Sequence, residues 1–139
     1  MTRVVLDANV LFSAALTPGG LPDQIVTEWL AGGFELVVSP RLIEEVDRAL
    51  RSPRYRGERE SPLAFVSQLG ELAVLVEDPA EVEPVVAADP ADDYLVALAR
   101  AAGASVIVTG DRHLLELRNL EPPAIRPREF LAILLRHLR

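Results

Sequence analysis

Short apolar runs alternate with segments of helical periodicity along this chain, and that alternation constrains the fold more than any other feature. The runs predict strands at residues 3–6, 34–38, 72–76, 105–108 and 124–125. Between them, apolar residues recur every three or four positions, in segments that open at Pro, Ser or Asp and often close at Gly. Strands that alternate with helices favour one parallel sheet with right-handed crossovers and helices on both faces. We therefore predict a single α/β domain over residues 1–139, with a parallel sheet of about five strands.

The composition narrows the class of protein. Half of the residues are hydrophobic, as in a globular domain, and no apolar run is long enough to span a membrane. The absence of cysteine excludes disulfides and thiolate metal sites, and the absence of lysine excludes Schiff-base and P-loop lysine mechanisms. The N-terminus lacks the pattern of a signal peptide, so we expect a soluble, cytoplasmic protein. A net charge of −7 argues against a general nucleic-acid-binding protein.

Acidic residues stand at the ends of predicted strands and within predicted helices at four places in the chain. They are Asp7 after the first strand, Glu44 and Glu45 on the helix after the second, Asp92 and Asp93 where a later helix begins, and Asp111 after the fourth strand. In a parallel α/β sheet, the carboxyl ends of the strands and the adjoining helix starts lie on one edge, where ligands bind. The sequence therefore predicts several carboxylates that are distant in the chain and close in space.

Such a cluster has two interpretations. Taken singly, each aspartate is more often a helix cap than a ligand, because Asp is favoured at helix N-termini. Together, carboxylates raise one another's pKa values and cost stability unless a cation is present. Carboxylate and carbonyl oxygens suit Mg²⁺ or Mn²⁺, whereas a chain with two histidines and no cysteine is a poor zinc binder. The residues alone predict a divalent metal site.

Four segments resemble the PIN-domain family, and in particular the toxin components of bacterial toxin–antitoxin pairs. They are VVLDANVLFSA, VVSPRLIEEVDRAL, DPADDYLVALARAAGA and VIVTGDRHLL. The resemblance spans most of the chain, and its four acids stand in the family's order. It implies a ribonuclease that uses one or two Mg²⁺ or Mn²⁺ ions, together with a cognate antitoxin partner.

The resemblance also implies roles for individual residues. The family's catalytic and metal-binding acids match Asp7, Glu45, Asp93 and Asp111, with Glu45 rather than Glu44 in the second place. Of these, the three aspartates are expected as direct ligands, and Glu45 as a ligand or as the holder of metal-bound water. The supporting polar residues around that quartet are Asn9, Ser39, Thr109 and Asp92.

Two further segments suggest partners. The main basic concentration comprises Arg48, Arg51, Arg54, Arg56 and Arg59. Arginine binds phosphate in a bidentate fork, so this segment is a candidate RNA guide, and a solvated loop or antitoxin contact is an equal alternative. The last helix, residues 128–139, is more apolar than one sheet-facing stripe requires, which suggests a homodimer or an ordinary core helix with some exposed leucines.

Other classes of protein fit the acids less well. A receiver-like phospho-acceptor domain needs a lysine that this chain lacks. A metal-dependent phosphatase would normally carry a second acid two residues after its nucleophilic Asp, where this chain has Asn9. The phosphatase stays open as an alternative. So does a non-catalytic interaction module in which the acidic edge is structural.

Overall fold

The computed structural model describes residues 2–53, 62–85 and 90–137, and within them five parallel strands form one sheet. They are β1 (Arg3–Leu6), β2 (Glu35–Val38), β3 (Val74–Leu75), β4 (Val106–Val108) and β5 (Ala124–Ile125). The strand order is β3-β2-β1-β4-β5. The predicted fold class, a single α/β domain with a five-stranded parallel sheet, is confirmed.

Seven helices connect and follow the strands in the described residues. They are α1 (Ala8–Leu16), α2 (Leu21–Leu30), α3 (Pro40–Leu50), α4 (Pro62–Leu72), α5 (Pro90–Ala101), α6 (Arg112–Leu115) and α7 (Pro127–His137). Gly32 and Gly103 follow α2 and α5 at φ values of 87° and 66°, in the left-handed region that glycine enters most readily. None of these helices is long and apolar enough to cross a membrane.

The third strand is shorter than its apolar run predicts. We expect a strand over residues 72–76, but α4 continues to Leu72 and the strand covers Val74–Leu75 alone. The Ala73 N–H bonds to the Leu69 carbonyl at 3.3 Å, which closes the last helical turn. Leu69 and Leu72 stand at helical spacing, and Leu69 is fully buried, so helical packing prevails over the local apolar run.

The sheet is buried between helices on both faces. Helix α1 packs against α2 and α3, α2 against α7, and α3 against α4, whereas α5 packs on β1 and β4. Right-handed crossovers place α5 on the face opposite α1, because the chain reverses its direction across the sheet after β3. Strand β1 lies at the centre, and Val4, Val5 and Leu6 are fully buried.

The strand order creates a switch point between β1 and β4. The chain moves from β1 to β2 and β3 on one side, then returns to add β4 and β5 on the other. In open α/β sheets, a crevice forms at the carboxyl ends of the strands at such a point. Asp7 and Thr109 directly follow β1 and β4, and the Asp7 N–H bonds to the Val108 carbonyl at 2.9 Å.

Candidate active site

A cavity of about 140 Å³ opens at the switch point, and it is lined mainly by polar atoms. Four carboxylates from separate places in the chain line it, together with the Asn9 side chain; they are Asp7, Glu45, Asp92 and Asp111. The carboxylates therefore lie on one edge of the sheet, as the strand and helix order predicts, and all four border the same cavity.

Thr109 connects two of these acids. Its hydroxyl donates to Asp7 Oδ2 at 2.7 Å and accepts the Asp111 N–H at 3.0 Å, and the residue is fully buried. Asp7 Oδ1 accepts the Asn9 N–H at 3.3 Å, and Asp111 Oδ1 accepts the His113 N–H at 2.8 Å. Both aspartates are thus helix N-caps that also line the cavity, so the two interpretations of the sequence are compatible. Each carboxylate oxygen has lone pairs left to bind a ligand.

Helix α3 presents one of its adjacent glutamates to the cavity. Glu45 lines the cavity, and its side chain is 34% exposed. Glu44 is 69% exposed and pairs with Arg48 at 3.0 Å on the outer surface. The structure therefore places at the cavity the glutamate that the family resemblance selects.

Helix α5 presents Asp92 to the cavity rather than Asp93. Both residues are buried, but Asp93 is not among the residues that line the cavity. Its Oδ1 accepts the Val85 N–H at 2.8 Å, so this carboxylate holds the segment that precedes the helix. Asp92, expected to have a supporting role, lines the cavity, and the ligand role expected of Asp93 stays a prediction.

Ser39 lies beside the cavity in a network that the sequence did not reveal. It caps α3 by accepting the Leu42 N–H at 3.2 Å, and its Oγ is 2.5 Å from the Tyr94 hydroxyl. The Tyr94 hydroxyl donates a short hydrogen bond to Asp78, so the Ser39 hydroxyl donates to Tyr94. Asp78 follows β3 at the same edge as the other acids, and this position could have identified it.

The network also shifts the pKa values of its members. Burial, together with the hydrogen bond and negative charge of Asp78, raises the pKa of Tyr94 to about 12. Partial burial alone would raise the pKa of Asp78, but the hydrogen bonds from the Tyr94 hydroxyl and the Arg41 backbone N–H, with the nearby Arg41 charge, hold that pKa below its ordinary value. At neutral pH, Tyr94 therefore stays protonated as a donor and Asp78 stays ionised as its acceptor.

The donor set fits a hard divalent cation by its chemistry. Four carboxylates and an amide line a polar cavity, which matches the oxygen donors that Mg²⁺ and Mn²⁺ prefer. In the parts of the chain that the structure describes, no three histidine or carboxylate side chains already converge closely enough to hold an ion. Among the described residues, the carboxylates therefore share the cavity without converging on one ion position.

A second groove of about 450 Å³ extends from the cavity along α3. It shares Asn9 and Glu45 with the cavity and continues past Ala49 to Arg48 and Ser52. Arg48 is thus on a path that leads to the acids, whereas the Arg51 side chain pairs with Asp47 at 3.0 Å outside the groove. The remaining arginines of the predicted basic segment, Arg54, Arg56 and Arg59, lie outside the described residues.

Comparison with known proteins identifies the family. Residues 3–113 match the PIN domain family, and the chain belongs to it. An uncharacterized protein of Methanocaldococcus jannaschii, MJ1680, is 27% identical over 120 residues, which cover 84% of this chain and 76% of that protein. The crystal structure of PAE2754 from Pyrobaculum aerophilum superposes with a TM-score of 0.67 at 20% identity, covering 97% of this chain and 96% of that one. PIN domains are generally nucleases, and their fold is that of metal-dependent enzymes.

Proposed function

We propose that this chain is a divalent-metal-dependent endoribonuclease whose active site is the acidic cavity. The observation that carries the proposal is the meeting of four carboxylates, from four separate elements, at the switch point of a PIN-domain sheet. Such a concentration of like charge costs stability without a cation. A cation held among oxygen donors next to a phosphodiester is the arrangement used for metal-assisted hydrolysis.

The four acids that line the cavity would hold one or two Mg²⁺ or Mn²⁺ ions; they are Asp7, Glu45, Asp92 and Asp111. Asp92 takes the ligand role that the resemblance implied for Asp93. When bound, the ion lowers the pKa of a water ligand and offsets negative charge on the phosphate.

The residues around the acids orient them and the substrate. Thr109 holds the Asp7 carboxylate in one orientation and ties it to the Asp111 backbone, so the two aspartates keep a fixed relation. Asn9 is exposed and lines the cavity, so its amide can donate to a phosphate or ribose oxygen. Ser39 supports the α3 start that carries Glu45.

The groove along α3 supports the RNA assignment. A phosphodiester chain that enters the cavity needs a path flanked by cationic and small side chains, and the groove has Arg48 with Ala49 and Ser52 along it. From the sequence alone, Arg51 and the arginines at 54, 56 and 59 stay proposed RNA contacts.

A cleavage assay with a matched pair of variants tests the proposal. Wild type, Asp7→Asn and Asp23→Asn are incubated with single-stranded RNA and DNA in Mg²⁺, Mn²⁺ or EDTA. We expect metal-dependent RNA cleavage that Asp7→Asn lowers at least about 100-fold, because loss even of a group that orients a ligand costs 10–100-fold. The Asp23→Asn substitution should leave the rate unchanged, because the Asp23 side chain accepts the Gly19 N–H in the turn before α2. No cleavage of any RNA in either metal would instead support the non-catalytic interaction module.

We also propose that the protein acts as the toxin of a toxin–antitoxin pair, on the strength of the family resemblance. Induced expression in a bacterial host should arrest growth, and the Asp7→Asn protein should not. A cognate antitoxin would restore growth. Normal growth with wild-type protein that is active in vitro would favour another RNA- or DNA-processing role.

The last helix supports a homodimer as part of the proposal. Phe130, Leu131 and Leu134 are buried, and Phe130 packs edge-on against Phe34 with ring centroids 5.1 Å apart. Ile133 and Leu135 are 36% and 41% exposed, so α7 also has an apolar outer face. Light scattering should give twice the chain mass at micromolar concentration, and a monomer there would exclude the dimer.

A further inference from the structure

The guanidinium of Arg41 lies between two side chains that line the acidic cavity. Its Cζ is 4.0 Å from the centroid of the Tyr94 ring, and its Nε is 3.6 Å from Glu45 Oε1. Tyr94 and Glu45 both line the cavity, and the Arg41 side chain is 48% exposed. Arg41 therefore contacts two residues of the cavity lining and remains accessible to a ligand.

A series of contacts through Tyr94 and Asp78 connects the Arg41 side chain to its own backbone and determines where Arg41 lies. Its guanidinium stacks on the Tyr94 ring, the Tyr94 hydroxyl bonds to Asp78, and Asp78 Oδ1 accepts the Arg41 backbone N–H at 3.2 Å. Ser39 holds the same hydroxyl from the other side at 2.5 Å. The hydroxyl end of the Tyr94 side chain is thus held by two polar partners, and the face of its aromatic ring contacts the arginine. A cation over an aromatic face is attracted by the ring quadrupole and keeps its donors available.

Arg41 forms a longer ion pair than the other two arginines of α3. Arg48 and Arg51 each contact a carboxylate four residues earlier at 3.0 Å on the exposed face. The Arg41–Glu45 distance is longer, at 3.6 Å. Within the described residues, neither Arg41 Nη atom forms a hydrogen bond or ion pair. A half-exposed pair of this kind contributes little stability, so its arginine can exchange partners at small cost.

From this geometry we infer that Arg41 binds a backbone phosphate of the RNA at the edge of the acidic cavity, and that Tyr94, anchored by Asp78 and Ser39, positions it. The inference rests on the proposed function for its choice of ligand. An acidic chain that admits a polyanion to a carboxylate cluster needs a local cation, and Arg41 contacts two residues of that cluster's lining. Its Nη atoms form the donor fork that matches two phosphate oxygens.

Binding measurements in EDTA test Arg41 without any catalytic turnover. The probe is a fluorescein-labelled single-stranded 12-nucleotide RNA, followed by anisotropy from 50 to 200 mM salt. Arg41→Ala and Arg41→Gln should each raise Kd about tenfold and reduce the slope of log K against log salt by about one phosphate contact. Arg41→Lys should keep the slope. Arg118→Ala is the matched control, because Arg118 is exposed and lines neither the cavity nor the groove, and it should leave both quantities unchanged.

Variants of Tyr94 separate a positioning role from a structural one. Tyr94→Leu should weaken binding in the wild-type background and have no further effect in the Arg41→Ala background, whereas Tyr94→Phe, which keeps the ring, should restore most of the affinity. Additive effects of Tyr94→Leu and Arg41→Ala would show that the ring does not act through the arginine.

The two proposals fail in different ways. If Arg41→Ala, Arg41→Gln and Arg118→Ala give equal Kd values and slopes while wild type cleaves RNA, the role of Arg41 is wrong and the nuclease stands. If the Arg41 variants lose affinity and slope but no metal supports cleavage, Arg41 binds phosphate in a protein that is not a nuclease.

Discussion

Replacing Thr109 with valine should uncouple two acids of the candidate site without changing the shape of the core. The fully buried hydroxyl donates to Asp7 at 2.7 Å and accepts the Asp111 N–H at 3.0 Å. A hydrogen bond to a charged group contributes about 1.5–3 kcal/mol, and a buried N–H left without its acceptor costs about 1 kcal/mol more. The added methyl returns about 0.8 kcal/mol. The free energy of unfolding should therefore fall by about 2–3 kcal/mol.

Urea denaturation in EDTA at pH 7 measures this loss. A double-mutant cycle with Asp7→Ala isolates the contribution of the Thr109–Asp7 hydrogen bond to the free energy of unfolding, and we expect a coupling energy of about 1–2 kcal/mol. Thr109→Ser is the matched control, because it keeps the hydroxyl and loses the methyl. Apparent Mg²⁺ affinity should drop about 10–100-fold in Thr109→Val and change little in Thr109→Ser.

Additive effects of the two substitutions would contradict a coupling between Thr109 and Asp7. If Thr109→Val and Asp7→Ala add within about 0.5 kcal/mol, the hydroxyl does not hold the carboxylate. Equal Mg²⁺ affinity in wild type and Thr109→Val would equally show that the orientation of Asp7 is set by other groups.

Three other measurements test the site and its surroundings. Adding Mg²⁺ at about 100 times its Kd should stabilise wild type by about 2.7 kcal/mol, which is roughly a 10 °C rise in Tm, and should barely stabilise Asp7→Asn. Equal rises in Tm for the two proteins would show that the ion binds elsewhere. Asp92→Asn should abolish metal-dependent cleavage and stabilisation, whereas Asp93→Asn should lower stability and keep cleavage. The reverse result would support Asp93 as the metal ligand, as the family resemblance implies. In wild type, the lowered pKa of Asp78 contributes stability that is lost as pH falls below about 3.8. The raised pKa of Tyr94 contributes stability that is lost as pH rises from 10 towards 12. Tyr94→Phe should therefore remove the alkaline loss and reduce the acid one, as followed by circular dichroism, and unchanged pH profiles would contradict the network.

The architecture could be predicted because its signals are local. Each strand is an apolar run that ends in a polar residue, and the helices between them open at capping residues such as Ser39 before Pro40. The alternation then leaves a parallel sheet as the favoured arrangement. The error at β3 arose where the apolar residues from 69 to 75 satisfied helical and strand periodicity together, and packing of Leu69 decided between them.

How much of each helix is buried decides whether the sequence can show which of two neighbouring acids faces the cavity. On α3 the buried residues form a narrow stripe, so one glutamate faces the cavity and the other faces solvent. On α5 every residue from Asp92 to Val96 is buried, so apolar periodicity does not distinguish Asp92 from Asp93. Their side chains point about 100° apart around the helix axis. The docking of α5 on β1 and β4 decides which one reaches the cavity.

By itself, the sequence determined the α/β class, the order of the elements and the edge of the sheet at which the acids gather, because these follow from periodicity and from the geometry of parallel strands. Only the tertiary structure decided that Thr109 joins Asp7 to Asp111, that Asp92 lines the cavity, and that Arg41 lies over Tyr94. These contacts connect residues that are far apart in the chain, and the relative rotation of packed elements sets them. No local pattern records that rotation.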